Sequence, residues 1–306
     1  MLLLSSWSVA ASPRSREPIK PIPIVSIEKP ALVELGRQLF HEPKLSLDES
    51  ISCAHCHPLD RGGVDGLPVS SGVDGREGRI NTPTVYNSAL QFRQFWDGRA
   101  ATLEEQVDGP LTNPVEMAAN WPLVIQRLEA DKAYREQFGK LFAEGITPTN
   151  VRAALAHFQR TLLTPDSPFD RHLMGEAGAI TKEQRKGYQL FKSYGCSACH
   201  QGRGVGGNMF QKMGVMKNYF KQRGGIQHVD YGRYNHTGRA LHRFHFKVPS
   251  LRNVALTAPY FHDASAKSLP EAVRIMGYYQ LGRSIPADHV QKIVAFLKSL
   301  TGKGLQ

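Results

Sequence analysis

Apolar residues recur at helical spacing near the end of each half of this chain. Val151, Ala154, Leu155, Phe158 and Leu162 mark one amphipathic segment, and Val290, Ile293, Val294, Leu297 and Leu300 mark the other. Upstream, Gly36-Arg37-Gln38-Leu39-Phe40 and Gly187-Tyr188-Gln189-Leu190-Phe191 share the pattern G-x-Q-L-F, each at the end of a helical run. The second of these runs is opened by Thr181-x-x-Gln184, a capping box. No stretch sustains the period-2 alternation of a half-buried strand. The pattern predicts an all-α protein built twice on one plan: opening helix, connecting loops, closing helix. Gly- and Pro-rich runs such as 62–83 read as long irregular loops. The proline-punctuated Thr164-Pro165-Asp166-Ser167-Pro168 places the expected boundary between a domain at 12–163 and a second at 164–306.

The candidate chemistry lies in the cysteines. All 4 fall in two copies of one motif, Cys53-Ala54-His55-Cys56-His57 and Cys196-Ser197-Ala198-Cys199-His200. In C-x-x-C-H the thiols form thioether bonds to the haem vinyl groups, and the adjacent histidine reaches the iron as proximal ligand. A single four-thiolate zinc site is the alternative, but it leaves the histidine after each pair without a role. The reading is two covalently bound c-type haems, held by Cys53, Cys56 and His57 in one half and by Cys196, Cys199 and His200 in the other. Helix, haem site, loops and closing helix are the plan of a c-type cytochrome domain, here in tandem, with the long loops wrapping the haems.

A length of 306 residues accommodates two domains, each with its own core. The 38 basic and 27 acidic side chains leave the chain strongly positive. Haem propionates offset part of that charge, so nucleic-acid binding is a poor inference, and a basic solvated surface accounts for the rest. Leu2-Leu3-Leu4 starts a short apolar run and Val9-Ala10-Ala11 offers small residues for cleavage, so residues 1–11 read as an export signal, although a basic n-region is missing. Nothing later approaches the roughly 18 apolar residues of a membrane span. Export suits covalent haem attachment, which bacteria carry out outside the cytoplasm. The expected address is the periplasm.

The runs Gln94-Phe95-Trp96-Asp97-Gly98-Arg99-Ala100, Leu103-Glu104-Glu105-Gln106 and Val115-Glu116-Met117 resemble the bacterial di-haem cytochrome c peroxidase family. So do Phe246-Lys247-Val248-Pro249-Ser250-Leu251-Arg252-Asn253-Val254 and Ala258-Pro259-Tyr260-Phe261-His262-Asp263. The resemblance implies that the N-terminal haem cleaves hydrogen peroxide and that the C-terminal haem, ligated by histidine and methionine, supplies an electron. Methionine ligation raises a haem's potential. The matching methionine is Met276, which on its own spacing shares a stripe with Leu269, Ala272 and Val273 and reads equally as core. Glu116 matches the residue that moves the peroxide proton, a task that suits a carboxylate with a raised pKa. Gln106 matches a pocket amide, and Trp96 a tryptophan between the haems. A calcium ion is implied at Asn81 with the carbonyls of Thr257 and Pro259. The electron donor is implied to be a small cytochrome c or copper protein, and relatives are commonly homodimers.

One departure bears on mechanism. Most members carry a histidine after a glycine in the loop following the first haem site, and it closes the peroxidatic iron until the partner haem is reduced. Here that stretch reads Ser70-Ser71-Gly72-Val73-Asp74-Gly75, and no histidine occurs between His57 and His157. Valine cannot ligate iron, so the N-terminal haem is expected to be open at rest. The methylamine-utilisation di-haem enzyme, a related branch that oxidises tryptophans on a precursor protein, also lacks that histidine but has tyrosine in place of the methionine ligand. A plain di-haem electron carrier is the third reading, disfavoured by Val73 and Glu116. His228, His236, His242 and His245 read as solvated loop residues.

Overall fold

The computed structural model describes residues 17–24, 26, 28–303 and 305, so the expected export signal lies outside the described residues. Each half is organised around one crossing of two helices. Helix Pro30–Phe40 packs on Pro148–Thr161, and Lys182–Ser193 packs on Ala287–Lys298. The apolar stripes read from spacing are the contact faces: Leu35 and Leu39 meet Val151, Ala154 and Leu155, while Leu190 and Phe191 meet Val290, Ile293 and Val294. The capping box at Thr181 and Gln184 is formed in both directions.

The glycine of G-x-Q-L-F sits at each crossing. A Cβ on Gly36 would stand 2.0 Å from the carbonyl oxygen of Ala154, and one on Gly187 would stand 1.8 Å from that of Lys292. Both lie far inside van der Waals contact. The sequence repeat is thus a packing repeat, in which backbone meets backbone where any side chain would hold the helices apart.

Helices Leu103–Thr112, Trp121–Ala130 and Lys132–Leu141 complete the first core; Pro168–Met174 and Leu269–Ile275 contribute to the second. The expectation of few strands is met by a single antiparallel pair among the described residues, Phe210–Lys212 with His245–Lys247. A third, small cluster of Tyr219, Phe220 and Phe246 gathers Trp96 from the first half and Ile275 and Tyr279 from the second. Thr164 is buried and is clamped from both sides. Its Oγ accepts from Asn87 Nδ2 at 2.8 Å and from Asn253 Nδ2 at 3.0 Å, and its N–H donates to Asn87 Oδ1 at 2.9 Å. Among the described residues, no helix is long and apolar enough to cross a membrane.

Candidate active site

Cys53–Cys56 forms one helical turn, and the next residue, His57, donates its backbone N–H to Cys53 O at 3.0 Å. The imidazole Nδ1 lies 3.1 Å from the Gly63 carbonyl, which can only accept, so Nδ1 carries the proton and Nε2 keeps its lone pair. In the second half a 3-10 turn, Cys196–Ala198, leads to His200, whose Nδ1 lies 3.3 Å from Val205 O. Burial lowers the His57 pKa and pushes His200 down to about 4. Both rings are therefore neutral, as metal ligation requires.

All four cysteines are half-buried, and three of the thiols titrate high. Burial pushes Cys53 and Cys196 up to about 12, and Cys56 up to about 11. Cys53 packs against the first core and Cys196 against the second. Among the described residues the four sulfurs do not gather into a metal-sized group. The single four-thiolate zinc site is excluded by that separation.

A cavity of about 630 Å³ opens beside the first motif and takes in Cys53, Cys56, His57, Phe95, Trp96, Gln106 and Glu116. That volume is within the roughly 300–1,000 Å³ of cofactor sites. A haem fits it: thiols at attachment spacing, one neutral imidazole with a free nitrogen, and walls that are mostly apolar. Ser88 Oγ, on the same wall, is buried without a hydrogen-bond partner.

Glu116 follows helix Leu103–Thr112 through a tight turn in which its N–H donates to Asn113 O at 3.0 Å. Burial raises its pKa, while a 2.5 Å hydrogen bond from Asn113 Nδ2 and the Arg99 charge pull the other way. Gln106 projects from the preceding helix. Gly109 in that helix admits the Phe95 ring, which would lie 2.4 Å from a Cβ there, and the Arg99 guanidinium covers that ring at 3.4 Å.

Val73 is fully buried, and its N–H donates to the backbone oxygen of Glu116 at 2.9 Å. A Cβ on Gly72 would stand 2.2 Å from Val115 O, so the 70–78 loop lies directly on the turn that carries Glu116. Trp96 lines the cavity and donates its indole N–H to Asn81 O at 2.8 Å. Asn81 in turn donates its side-chain amide to Leu67 O at 3.0 Å and its N–H to His262 O at 2.8 Å. Ala258 O, between Thr257 and Pro259, is 3.9 Å from a Cβ position on Gly66. The chain thus brings 66–68 and 81 together, and 66 close to 258.

Met276 opens a π-turn, Met276–Gln280, at the end of helix Leu269–Ile275. It is half-buried, whereas Leu269 and Ala272 are core residues. Single π-turns inside helices are frequent at functional sites. Of the histidines read as solvated, His228 and His236 are exposed, although His228 also borders the cavity. His242 and His245 are half-buried, His242 near Thr237 Oγ at 2.9 Å.

Sequence reasoning placed two buried groups in the family motifs but gave them no role. His262 stacks on Phe246 at 4.3 Å, faces Trp96 edge-on at 6.3 Å, and pairs with Asp230 at 2.8 Å. Arg223 bridges Asp230 and Asp263, so a cation already occupies this acidic group. Lys247 is 6% exposed on the cavity wall. Beyond the family motif that contains it, its sequence signal is a charge flanked by Phe246 and Val248.

A family model for di-haem cytochrome c peroxidase matches residues 30–178. The chain is 48% identical over 287 residues to cytochrome c peroxidase Ccp of Escherichia coli, covering 94% of this chain and 61% of that protein. It therefore spans less than two thirds of that relative's length. Cytochrome c551 peroxidase of Nitrosomonas europaea is 45% identical over 289 residues, covering 94% of this chain and 85% of that one. Among solved structures, a MauG-like protein associated with microbial copper homeostasis superposes with a TM-score of 0.80 at 28% identity, covering 98% of this chain and 97% of that one. Similarity of this extent spans both C-x-x-C-H turns and the scaffold that repeats beneath them, and the chain belongs to the di-haem cytochrome c peroxidase family.

Proposed function

We propose that the protein is a periplasmic di-haem peroxidase that reduces hydrogen peroxide to water with electrons delivered singly by a small cytochrome c or copper protein. The observation that carries this reading is the half-buried Glu116 carboxyl, raised in pKa, in the same cavity as the His57 imidazole. Residues 12–163 form the peroxidatic domain, with a haem on Cys53, Cys56 and His57. Residues 164–306 form the electron-supplying domain, with a haem on Cys196, Cys199, His200 and Met276.

Haem supplies a redox-active iron able to bind peroxide. Around it, Glu116 takes the proton from the nearer peroxide oxygen and returns it to the departing one, and a carboxyl with a raised pKa suits both halves of that transfer. Gln106 orients the peroxide through its amide. Trp96 links the cavity to the Met276 turn through the small cluster it shares with Ile275 and Tyr279. Asn81, with the Thr257 and Pro259 carbonyls, takes a calcium ion, an oxygen-only shell that suits this cation. Two chains pair as a homodimer. Met276 at the head of the π-turn, where the methylamine-utilisation branch carries tyrosine, favours electron relay over oxidation of a protein substrate.

Val73 stands in the position of the usual histidine and cannot ligate iron, so a haem held by His57 would be open to peroxide at rest. Optical and EPR spectra of the oxidised protein, before and after one equivalent of peroxide without reductant, test this. A high-spin haem that reacts is the expected result. A fully low-spin protein indifferent to peroxide overturns the open site and directs attention to His228, the other histidine on the cavity wall.

A further inference from the structure

Lys247 is the most deeply buried ammonium on the wall of the first cavity. It sits on the strand His245–Lys247, its backbone N–H donates to Trp96 O at 2.7 Å, and its Nζ contacts Gln91 Oε1. Among the described residues it forms no ion pair. Asp97 acts on it only at longer range, offsetting part of the burial that pushes its pKa down to about 8. A buried cation facing one neutral amide is costly unless an anion joins it.

A second observation falls at the same corner. Ser88 Oγ is buried and has no partner. Ser88 is tied to the residue Lys247 touches, since its carbonyl accepts from Gln91 N–H at 3.0 Å and from Gln94 Nε2 at 3.1 Å. One cation without an ion pair and one orphaned hydroxyl therefore border the same cavity, both adjoining Gln91, where a single carboxylate can accept from each. Glu116 does not supply it: the acidic group that acts on Lys247 is Asp97, at longer range.

We propose that Lys247 and Ser88 form a carboxylate-receiving corner that holds a propionate of the haem attached through Cys53 and Cys56. The inference rests on the reading that this cavity holds a haem. A charge-assisted bond from Lys247 and a hydroxyl bond from Ser88 satisfy both groups at once. Lys247 comes from the second half and Ser88 from the first, so the cofactor's own carboxylate joins the two. A fixed cation at the haem edge also favours the reduced iron.

Potentiometric titration of the K247M holoprotein tests this. The expected result is a fall in the midpoint potential of the N-terminal haem by at least tenfold in the ferric–ferrous equilibrium, about 59 mV for one electron. The C-terminal haem should not move, and K247R, which keeps the charge, should hold the wild-type value. S88A should shift the same potential in the same direction by less. An unchanged potential in K247M with both haems attached overturns the proposal. Should K247M fail to accumulate, the propionate bending band in resonance Raman spectra decides: a shift in both S88A and K247R supports the contact, and an unmoved band overturns it. A pyridine haemochrome count below two per chain overturns the reading of the cavity and this inference with it.

Discussion

Around Gly36 and around Gly187 the chain solves the same packing problem, bringing an opening helix against a closing helix at a point where only a glycine fits. Both crossings lead to a C-x-x-C-H turn whose histidine Nδ1 is held by a carbonyl in the following loop. Beyond that the halves part. In the first, Val73 is locked onto the backbone of Glu116, and the space beside it is a cavity bordered by a carboxyl and an amide. In the second, a helix breaks into a π-turn at Met276, which offers a thioether. On the proposed function, the difference teaches that holding a haem and using it are separable: the repeated framework serves the first, and two short, unrelated segments the second.

The largest test of that separation is E116Q. It removes the proposed proton carrier from the first half and leaves the framework intact, so peroxide turnover should fall about 10²–10⁴-fold with both haems bound by absorbance. Unchanged turnover removes Glu116 from the role. V73H attacks the comparison from the other side by offering the first half a second side-chain ligand. The oxidised protein should become low-spin by EPR, and activity should require prior reduction. A high-spin V73H protein would mean that the anchor to Glu116 keeps residue 73 off the iron.

The scaffold has its own test. G36A and G187A should each destabilise by about 1–3 kcal/mol or more, by similar amounts, in urea unfolding. G139A, on a helix with open space around it, should be neutral or stabilise by about 1 kcal/mol. The smallest expected effect is in N113A. Asn113 stabilises the Glu116 carboxylate against burial, so its loss should raise the Glu116 pKa further. In its proposed role as base, Glu116 works deprotonated; the acid limb of the pH–rate profile should therefore move to higher pH in N113A and vanish in E116Q.

Much of this architecture is legible in the sequence because it is local. The closing helices announce themselves by apolar spacing, the haem turns by cysteine spacing, and the capping box at Thr181 forms as written. G-x-Q-L-F is visible as a repeat, but its cause is not: the oxygens of Ala154 and Lys292 that forbid a side chain lie more than a hundred residues away. The same holds for His262, whose partner Asp230 and stacking neighbour Phe246 come from irregular chain with no period to read. Lys247 and Ser88 illustrate it most sharply, since each is unremarkable alone and informative only on a shared wall. The zinc alternative could be weighed in sequence by its unexplained histidines, yet it was the separation of the two cores that removed it.

Thr164, gripped by Asn87 from one side and Asn253 from the other, has a mechanical consequence. A joint pinned by buried hydrogen bonds does not hinge, so the interval between the two halves is a fixed length of wire rather than a gap that closes and opens. On the proposed reading, thickening the solvent should slow the arrival of a donor protein and leave passage between the halves untouched.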